Sequence, residues 1–170
     1  MNFGIIGVGS FGIKRAKAIQ NSKGSLSKIY DVNKENLKKA SEELKIDPTN
    51  NLNDIFDNKK IKAICICAPN KFHKELIIKG IKAGKHVFCE KPPSFNADEL
   101  LSIRKVEIET KRKLMYGLNH RHHDSIKKMK QLIDSRNNYE SMVYQFKSTL
   151  SDEKMSSVID ETMKEDLTKL

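Results

Sequence analysis

The chain has 170 residues, of which 38% are hydrophobic and 32% are charged, and its formal net charge is +10. This length suits one domain with its own core, and the apolar share excludes a compositionally disordered chain. No apolar run reaches the length of a membrane span, and the start MNFGIIGVGSFG lacks the basic segment of a signal peptide, so a cytoplasmic location is the default expectation.

Predicted strands and helices alternate along residues 1–135. Apolar runs that predict strands lie at 3–7, 26–31, 61–68, 86–90 and 113–118, and residues 47–51 form a turn or a short strand. Segments with helical spacing lie at 11–22, 33–44, 52–58, 71–85, 96–112 and 124–135. Because the strands are apolar throughout and the connections are short, we expect a doubly wound α/β domain, a parallel sheet covered by helices on both faces.

End signals and apolar stripes support these helices. Asn33 and Asn96 are predicted N-caps, and Gly84 is predicted to end the helix before it. Four apolar residues of the last helix are expected to face inward: Ile126, Met129, Leu132 and Ile133. The tail 136–170 is polar and divergent, with one further strand candidate, SMVYQFKSTL, at 141–150.

A glycine-rich segment, Gly7-Val8-Gly9-Ser10-Phe11-Gly12, joins the first strand to the first helix. This G-x-G-x-x-G spacing between a strand and a helix predicts a loop that binds a pyrophosphate, in preference to an ordinary glycine turn. Gly7 makes the tight turn, Gly9 lets the pyrophosphate approach the backbone, and Gly12 lets the helix pack close to the strand. Ser10 and Phe11 open the helix, whose exposed amides and dipole would hold the phosphate.

Asp31 ends the second strand, 19 residues after Gly12. A carboxylate at this place accepts hydrogen bonds from the ribose hydroxyls of a dinucleotide and repels the extra phosphate of NADP. NAD is therefore the predicted cofactor. Lys34 is close in sequence and would soften the preference, so NADP remains the less favoured alternative.

The positive charge and the cysteines do not indicate other kinds of site. The charge comes mostly from lysines spread along the whole chain without a nucleic-acid-binding motif, so no nucleic-acid partner is predicted. Cys65, Cys67 and Cys89 lie in apolar runs and are predicted to be buried and reduced. The histidine-rich segment 120–123 has no matching carboxylate or cysteine pattern, so no metal site is predicted.

Further motifs lie where later strands end, at the edge where open α/β sheets bind ligands. The segments GIIGVGSFG, YDVN, CAPNKFHKELIIKGIKAGKHVFCEKP and GLNHRHHDSIKKMKQLI together resemble the glucose-fructose oxidoreductase / inositol dehydrogenase / MocA family over about residues 2–135. The resemblance implies a Rossmann-like NAD(P)-binding domain. It also implies hydride transfer between a nicotinamide cofactor and a hydroxyl of a sugar, cyclitol or sugar nucleotide.

The resemblance implies roles for single residues as well. Lys91, in the family's Glu-Lys-Pro motif, would contact the substrate hydroxyl and support proton transfer. Outside this motif, a single lysine at such a place would be interpreted as a solvent-exposed residue without a catalytic role. His73 would lie near the nicotinamide, but capping its helix or pairing with a neighbour fits it equally well. The residues implied in the cofactor site, the last two following the sixth predicted strand, are Pro69, Asn70, His73, Glu90, Pro92, Asn119 and Arg121.

The family's second domain, an α+β domain that supplies an Asp and a His to the catalytic set, has no match in 136–170. We expect either a shortened gene product or a cofactor domain that acts with a partner chain, and self-association through the exposed edge is a further expectation. Such a chain would bind NAD(H) with weak or no dehydrogenase activity. The alternative is a non-catalytic nucleotide-binding or regulatory module.

Overall fold

The computed structural model describes residues 1–136, with side chains as far as Ile133. The strand candidate at 141–150 and the rest of the tail lie outside the described residues. The chain divides into a compact unit, Met1–Leu118, and a second unit that begins at Asn119. The predicted domain boundary at residue 135 stays a prediction.

The first unit contains a parallel sheet of five strands. They are β1 (Asn2–Ile6), β2 (Ser25–Tyr30), β3 (Ile61–Ile66), β4 (His86–Cys89) and β5 (Leu114–Tyr116). The strand order is β2-β1-β3-β4-β5, and every neighbouring pair is parallel. The winding direction therefore reverses between β1 and β3, and a crevice opens at the carboxyl ends of these two strands.

The number of strands corrects one sequence-based expectation. Residues 47–51 contribute only an isolated bridge between Ile29 and Pro48 and no strand. Asn119 and Arg121 therefore follow a fifth strand and not a sixth. Proline donates no backbone hydrogen bond, so Pro48 is poorly suited to extend the ladder.

Five helices of the first unit cover the sheet. They are α1 (Ser10–Gln20), α2 (Lys34–Leu44), α3 (Asn53–Phe56), α4 (His73–Lys82) and α5 (Ala97–Thr110). The predicted N-caps are confirmed, because the side chain of Asn33 accepts from the amides of Glu35 and Asn36, and that of Asn96 from Glu99. Gly84 follows α4 with a positive φ of 77°, as a helix-ending glycine does.

Successive residues of a strand point to opposite faces of the sheet, and two separate cores result. Ile6, Ile64 and Ile66 point to a core completed by Phe56, Ile77, Ile81 and Ile103 from α3, α4 and α5. Ile5, Ile29 and Cys65 point to the other core, completed by Ala16, Leu37, Ala40 and Leu44 from α1 and α2. Helices on both faces confirm the predicted doubly wound architecture.

The second unit, as far as it is described, contains a short 3₁₀ turn at Asn119–His122 and a helix, α6 (Asp124–Arg136). Met129 and Ile133 are 38% and 45% exposed, so the expectation that they face inward is wrong. Ile126 and Leu132 are half-buried. Helical spacing defines an apolar stripe, but burial needs a partner surface over it, which the spacing alone cannot supply.

No helix among residues 1–136 combines the length and the apolar composition needed to cross a membrane.

Candidate cofactor site

The three glycines of the loop between β1 and α1 have three different surroundings. Gly7 has a positive φ of 91°, and its amide donates to the carbonyl of Tyr30 at 2.8 Å, which fixes the turn. A Cβ on Gly12 would lie 2.0 Å from the carbonyl oxygen of Gly7, so only glycine allows this close packing. A Cβ on Gly9 would meet nothing within 4 Å. The space beside Gly9 is therefore open.

The start of α1 presents backbone donors next to this open space. The first helical hydrogen bond runs from the Ile13 amide to the Gly9 carbonyl, at 3.0 Å. The amides of residues 10–12 precede it and have no carbonyl within the helix. No side chain caps the helix and its first turn holds no acidic residue. Donors and the positive end of the helix dipole thus remain for an anionic group, and this arrangement fits the pyrophosphate of a dinucleotide.

Asp31 connects this loop to the segment after β2. One carboxylate oxygen accepts from the Val8 amide and the other from the Asn33 amide, each at 2.8 Å. The side chain is half-buried and lines the crevice. A carboxylate oxygen has more than one acceptor position, so both oxygens keep capacity for ribose hydroxyls. Asp31 therefore holds the conformation of the glycine loop and keeps acceptor capacity toward the cleft.

The crevice at the ends of β1 and β3 is a cleft of about 630 Å³. Six of the predicted cofactor residues line it: Gly7, Gly9, Ser10, Phe11, Asp31 and Pro69. The sequence analysis missed much of the outer wall, which includes Val32, Asn36, Phe72, Glu75 and Leu76. Val32 is 76% exposed and Phe11 is 51% exposed. These apolar side chains at the mouth of the cleft are accessible to a flat aromatic ligand group.

His73 lies beneath the loop that follows β3 and does not line the cleft of the described chain. Its ring is completely buried, with Nδ1 2.7 Å from the carbonyl oxygen of Pro92 and Nε2 2.8 Å from that of Ala68. Pairing with neighbours, one of the roles left open by the sequence, is therefore present, and the predicted place of His73 near the nicotinamide stays a prediction. Asn70 begins the short 3₁₀ turn Asn70–Phe72 before α4 and is exposed.

Glu90, Lys91 and Pro92 follow β4 at the same edge of the sheet. Glu90 is only 7% exposed, and its Oε1 accepts from Arg15 Nε at 2.7 Å. Lys91 is exposed, and the peptide bond between Lys91 and Pro92 is cis. No ion pair or hydrogen bond is assigned to the Lys91 amine within residues 1–136.

The cysteines are free, as predicted, and Cys65 and Cys89 are buried, whereas Cys67 is half-buried and lines the cleft. Cys65 Sγ lies 3.7 Å from Cys67 Sγ. The hydrogen bond to Cys67, and then burial, raise the pKa of the Cys65 thiol, and burial raises that of Cys89. Cys65 and Cys89 are therefore protonated core thiols at neutral pH.

Asn119 and Arg121 belong to the second unit, in its 3₁₀ turn, and both are exposed. The rings of His120 and His123 in the same segment contact each other at a tilt of 40°, with centroids 5.1 Å apart. Within the part of the chain that the structure describes, no three His, Cys, Asp or Glu side chains group as metal ligands do.

Comparison with known proteins identifies the fold's family. The model of an oxidoreductase family with an NAD-binding Rossmann fold, GFO_IDH_MocA, matches residues 1–118. The chain belongs to this family. The match ends where the first compact unit ends, so the family's cofactor domain and that unit coincide.

The relatives of this Gfo/Idh/MocA chain include inositol dehydrogenases. It is 31% identical to the myo-inositol 2-dehydrogenase of Thermotoga maritima over 140 residues, 79% of this chain and 41% of that protein. A putative myo-inositol dehydrogenase structure from Sinorhizobium meliloti has 29% identity and a TM-score of 0.73, covering 79% of this chain and 41% of that one. The chain therefore spans about two fifths of the length of these relatives.

One of the similar solved structures is described as NADPH-dependent. A putative NADPH-dependent oxidoreductase structure from Desulfitobacterium hafniense has 26% identity and a TM-score of 0.74, covering 80% of this chain and 40% of that one. The family membership therefore establishes an NAD(P)-binding Rossmann domain without choosing between the two dinucleotides.

Proposed function

We propose that the chain binds a nicotinamide dinucleotide in the cleft between β1 and β3 and forms the cofactor-binding part of a hydride-transferring oxidoreductase. The observation that carries this proposal is the open space beside Gly9, bordered by the amides of residues 10–12 and by Asp31. The inositol dehydrogenase relatives support a small polyhydroxylated substrate, a cyclitol or a sugar. The nicotinamide would supply the hydride chemistry when it is bound.

Each part of the cleft has a distinct task in this proposal. The α1 amides hold the pyrophosphate, and Asp31 accepts hydrogen bonds from a ribose. The apolar side chains of Val32 and Phe72 flank the adenine at the mouth. Lys91 is exposed after β4 at the same edge of the sheet, and in this proposal its amine binds the substrate hydroxyl and exchanges a proton with it.

Titration of NADH fluorescence tests the proposal directly. Saturable binding to the wild-type chain is the expected result, and failure to bind either NADH or NADPH would contradict it. A non-catalytic nucleotide-binding module, alone or with a partner chain, is the second candidate, because the Lys91 amine contacts no acid–base partner within residues 1–136. NADH binding without turnover of any cyclitol or sugar would favour this second candidate.

The carboxylate of Asp31 predicts a preference for NAD. Replacing Asp31 with serine is expected to weaken NADH binding by about tenfold or more, since a charge-assisted ribose contact is lost together with the bond to the Val8 amide. NADPH binding should weaken less, because the repulsion of its extra phosphate is also removed. The ratio of the two dissociation constants, measured by fluorescence, checks this expectation. A wild-type chain that binds NADPH more tightly than NADH would contradict it.

The position of Lys91 predicts a separation between binding and chemistry. Lys91→Ala is expected to leave the NADH dissociation constant within about twofold, since a surface contact of this kind contributes little to affinity. Any hydride transfer to a cyclitol or sugar should fall ~10²–10⁴-fold, the usual contribution of a general acid–base group. Parallel fluorescence and absorbance assays on wild type and variant measure both quantities. A loss of NADH affinity of the same size as the loss of turnover would place Lys91 in the cofactor site instead.

A further inference from the structure

The turn that carries Lys91 is attached to the first helix of the cleft through a partly buried ion pair. Glu90 directly precedes Lys91, and its Oε1 accepts from Arg15 Nε at 2.7 Å. The guanidinium of Arg15 also lies over the Phe88 ring, 4.8 Å from its centroid. Arg15 lies in α1, one turn beyond the amides that face the open space. A cation at this place therefore links the phosphate-binding helix to the residue before Lys91.

The second carboxylate oxygen of Glu90 is also in close contact with the protein. A Cβ on Gly117 would lie 2.7 Å from Glu90 Oε2, so the carboxylate rests directly on the backbone after β5. The Glu90 amide donates to the Ile66 carbonyl at 2.9 Å. The backbone and side-chain bonds together hold the Glu90 carboxylate in one orientation. Because this carboxylate is buried, it needs the neighbouring Arg15 cation to offset its desolvation.

The same turn is attached from its other side by His73. The ring bridges the carbonyl of Pro92, directly after Lys91, and the carbonyl of Ala68, directly before the cleft residue Pro69. A ring with a hydrogen on one nitrogen donates to one of these carbonyls and packs against the other, and donation to both requires a hydrogen on each nitrogen. His73 therefore connects the loop that lines the cleft to the loop that carries Lys91, although it reaches neither solvent nor the cleft.

We propose that Arg15 and His73 are positioning residues that brace the turn Glu90–Pro92 from two sides and thereby hold the Lys91 amine relative to the cofactor cleft. Arg15 fixes the turn to α1, and His73 fixes it to the loop before α4. Two of the elements that line the cleft thus also locate Lys91. This inference rests on the proposed function for the task of Lys91, but the brace itself is a property of the cofactor-free chain.

Amide hydrogen exchange in the cofactor-free chain tests the Arg15 side of the brace. Arg15→Met should speed exchange at the Glu90 amide, which donates to the Ile66 carbonyl, by about tenfold or more, while amides of β1 keep their wild-type rates. Lys17→Met is the matched control, because it removes the same charge from the same helix at an exposed pair with Glu43. Its exchange rate at the Glu90 amide should equal that of wild type.

The His73 side is tested in the same way. His73→Phe keeps an aromatic ring but has no hydrogen-bonding nitrogen. It should also speed exchange at the Glu90 amide and at the Phe72 amide, which donates to the Pro69 carbonyl at 3.0 Å. His86→Phe is the control, since His86 is a half-buried histidine whose Nδ1 accepts from the Lys113 amide at a different place. Exchange at the Glu90 amide unchanged in both Arg15→Met and His73→Phe would overturn the proposal.

Rescue experiments separate positioning from general stability. Arg15→Lys keeps the charge and should retain more protection than Arg15→Met, and it serves as the second variant if Arg15→Met does not fold. Adding Glu90→Gln to Arg15→Met removes the unpaired buried charge, so it should restore thermal stability but not protection of the amide at position 90. Recovery of both together would show that Arg15 acts only on stability.

A final readout connects the brace to Lys91 itself. At saturating NADH, acylation of the Lys91 amine, quantified by mass spectrometry, should be slowed in wild type and in Lys17→Met, and this protection should be lost in Arg15→Met. Protection retained in Arg15→Met would contradict the positioning role. A wild-type chain that binds no dinucleotide would instead contradict the proposed function. The hydrogen-exchange result would then decide alone whether Arg15 and His73 hold the turn.

Discussion

Replacing Gly9 with valine is expected to lower NADH affinity by about 100-fold or more without lowering the thermal unfolding temperature. A Cβ at this position meets no protein atom within 4 Å, so the substitution costs the fold little. The added side chain would fill the space beside the α1 amides, where we place the pyrophosphate. Fluorescence titration with NADH and a thermal melt of the same sample provide the two measurements.

Gly12 gives the contrasting control for this experiment. A Cβ there would overlap the Gly7 carbonyl oxygen at 2.0 Å, so Gly12→Ala should destabilise the fold by about 3 kcal/mol and lose binding only as a consequence. Gly9→Val and Gly12→Ala should therefore differ in their melting temperatures. A Gly9→Val protein that binds NADH as wild type does would show that the dinucleotide does not lie against this loop.

Replacing Lys85 with methionine is expected to lower the free energy of unfolding by about 2–4 kcal/mol. Lys85 is 5% exposed, and its Nζ donates to the carbonyl of Asn58 at 2.6 Å and to that of Ile61 at 2.9 Å. These bonds join the turn after α4 to the start of β3. Methionine keeps the length of the side chain but leaves both carbonyls without this donor. Urea unfolding of the two proteins measures the difference.

The pH dependence of the same variant provides an independent check. Burial, followed by the nearby Lys62 charge, lowers the pKa of Lys85 from its ordinary value of 10.5. The folded chain then binds fewer protons than the unfolded chain between the lowered pKa and 10.5, so the contribution of Lys85 to stability rises with pH in that window. This rise should be missing from Lys85→Met. Lys82→Met, at an exposed position of α4, should change neither stability nor its pH dependence by more than about 0.5 kcal/mol.

The fold was predictable because its signals are local. Apolar runs bounded by Gly, Pro and Asp located all five strands, and Asn33 and Asn96 located two helix starts through bonds to amides within the same turn. The exposed residues of α6 show where such reasoning fails. Periodicity identifies the apolar side of a helix, but whether another element covers that side depends on residues distant in sequence.

The candidate site was predictable in part for the same reason. The roles assigned to Gly7, Gly9 and Gly12 follow from spacing within one loop, and the surroundings of each glycine agree with its assigned role. Arg15 was missed, because nothing near it in sequence marks it, and Phe72 was missed although its neighbours Asn70 and His73 were predicted. Arg15 and Glu90 are 75 positions apart, and only the closing of the sheet brings them into contact.

The sequence by itself determined the order of strands and helices along the chain, the glycine loop between β1 and α1 and the acid after β2. These features depend on backbone conformation and on hydrogen bonds that span a few residues. The tertiary structure alone decided that Asp31 holds the Val8 amide, that His73 lies buried between two carbonyls, and that Glu90 pairs with Arg15. A buried polar group must find its partner inside the fold, and which partner it meets depends on how the sheet and helices pack.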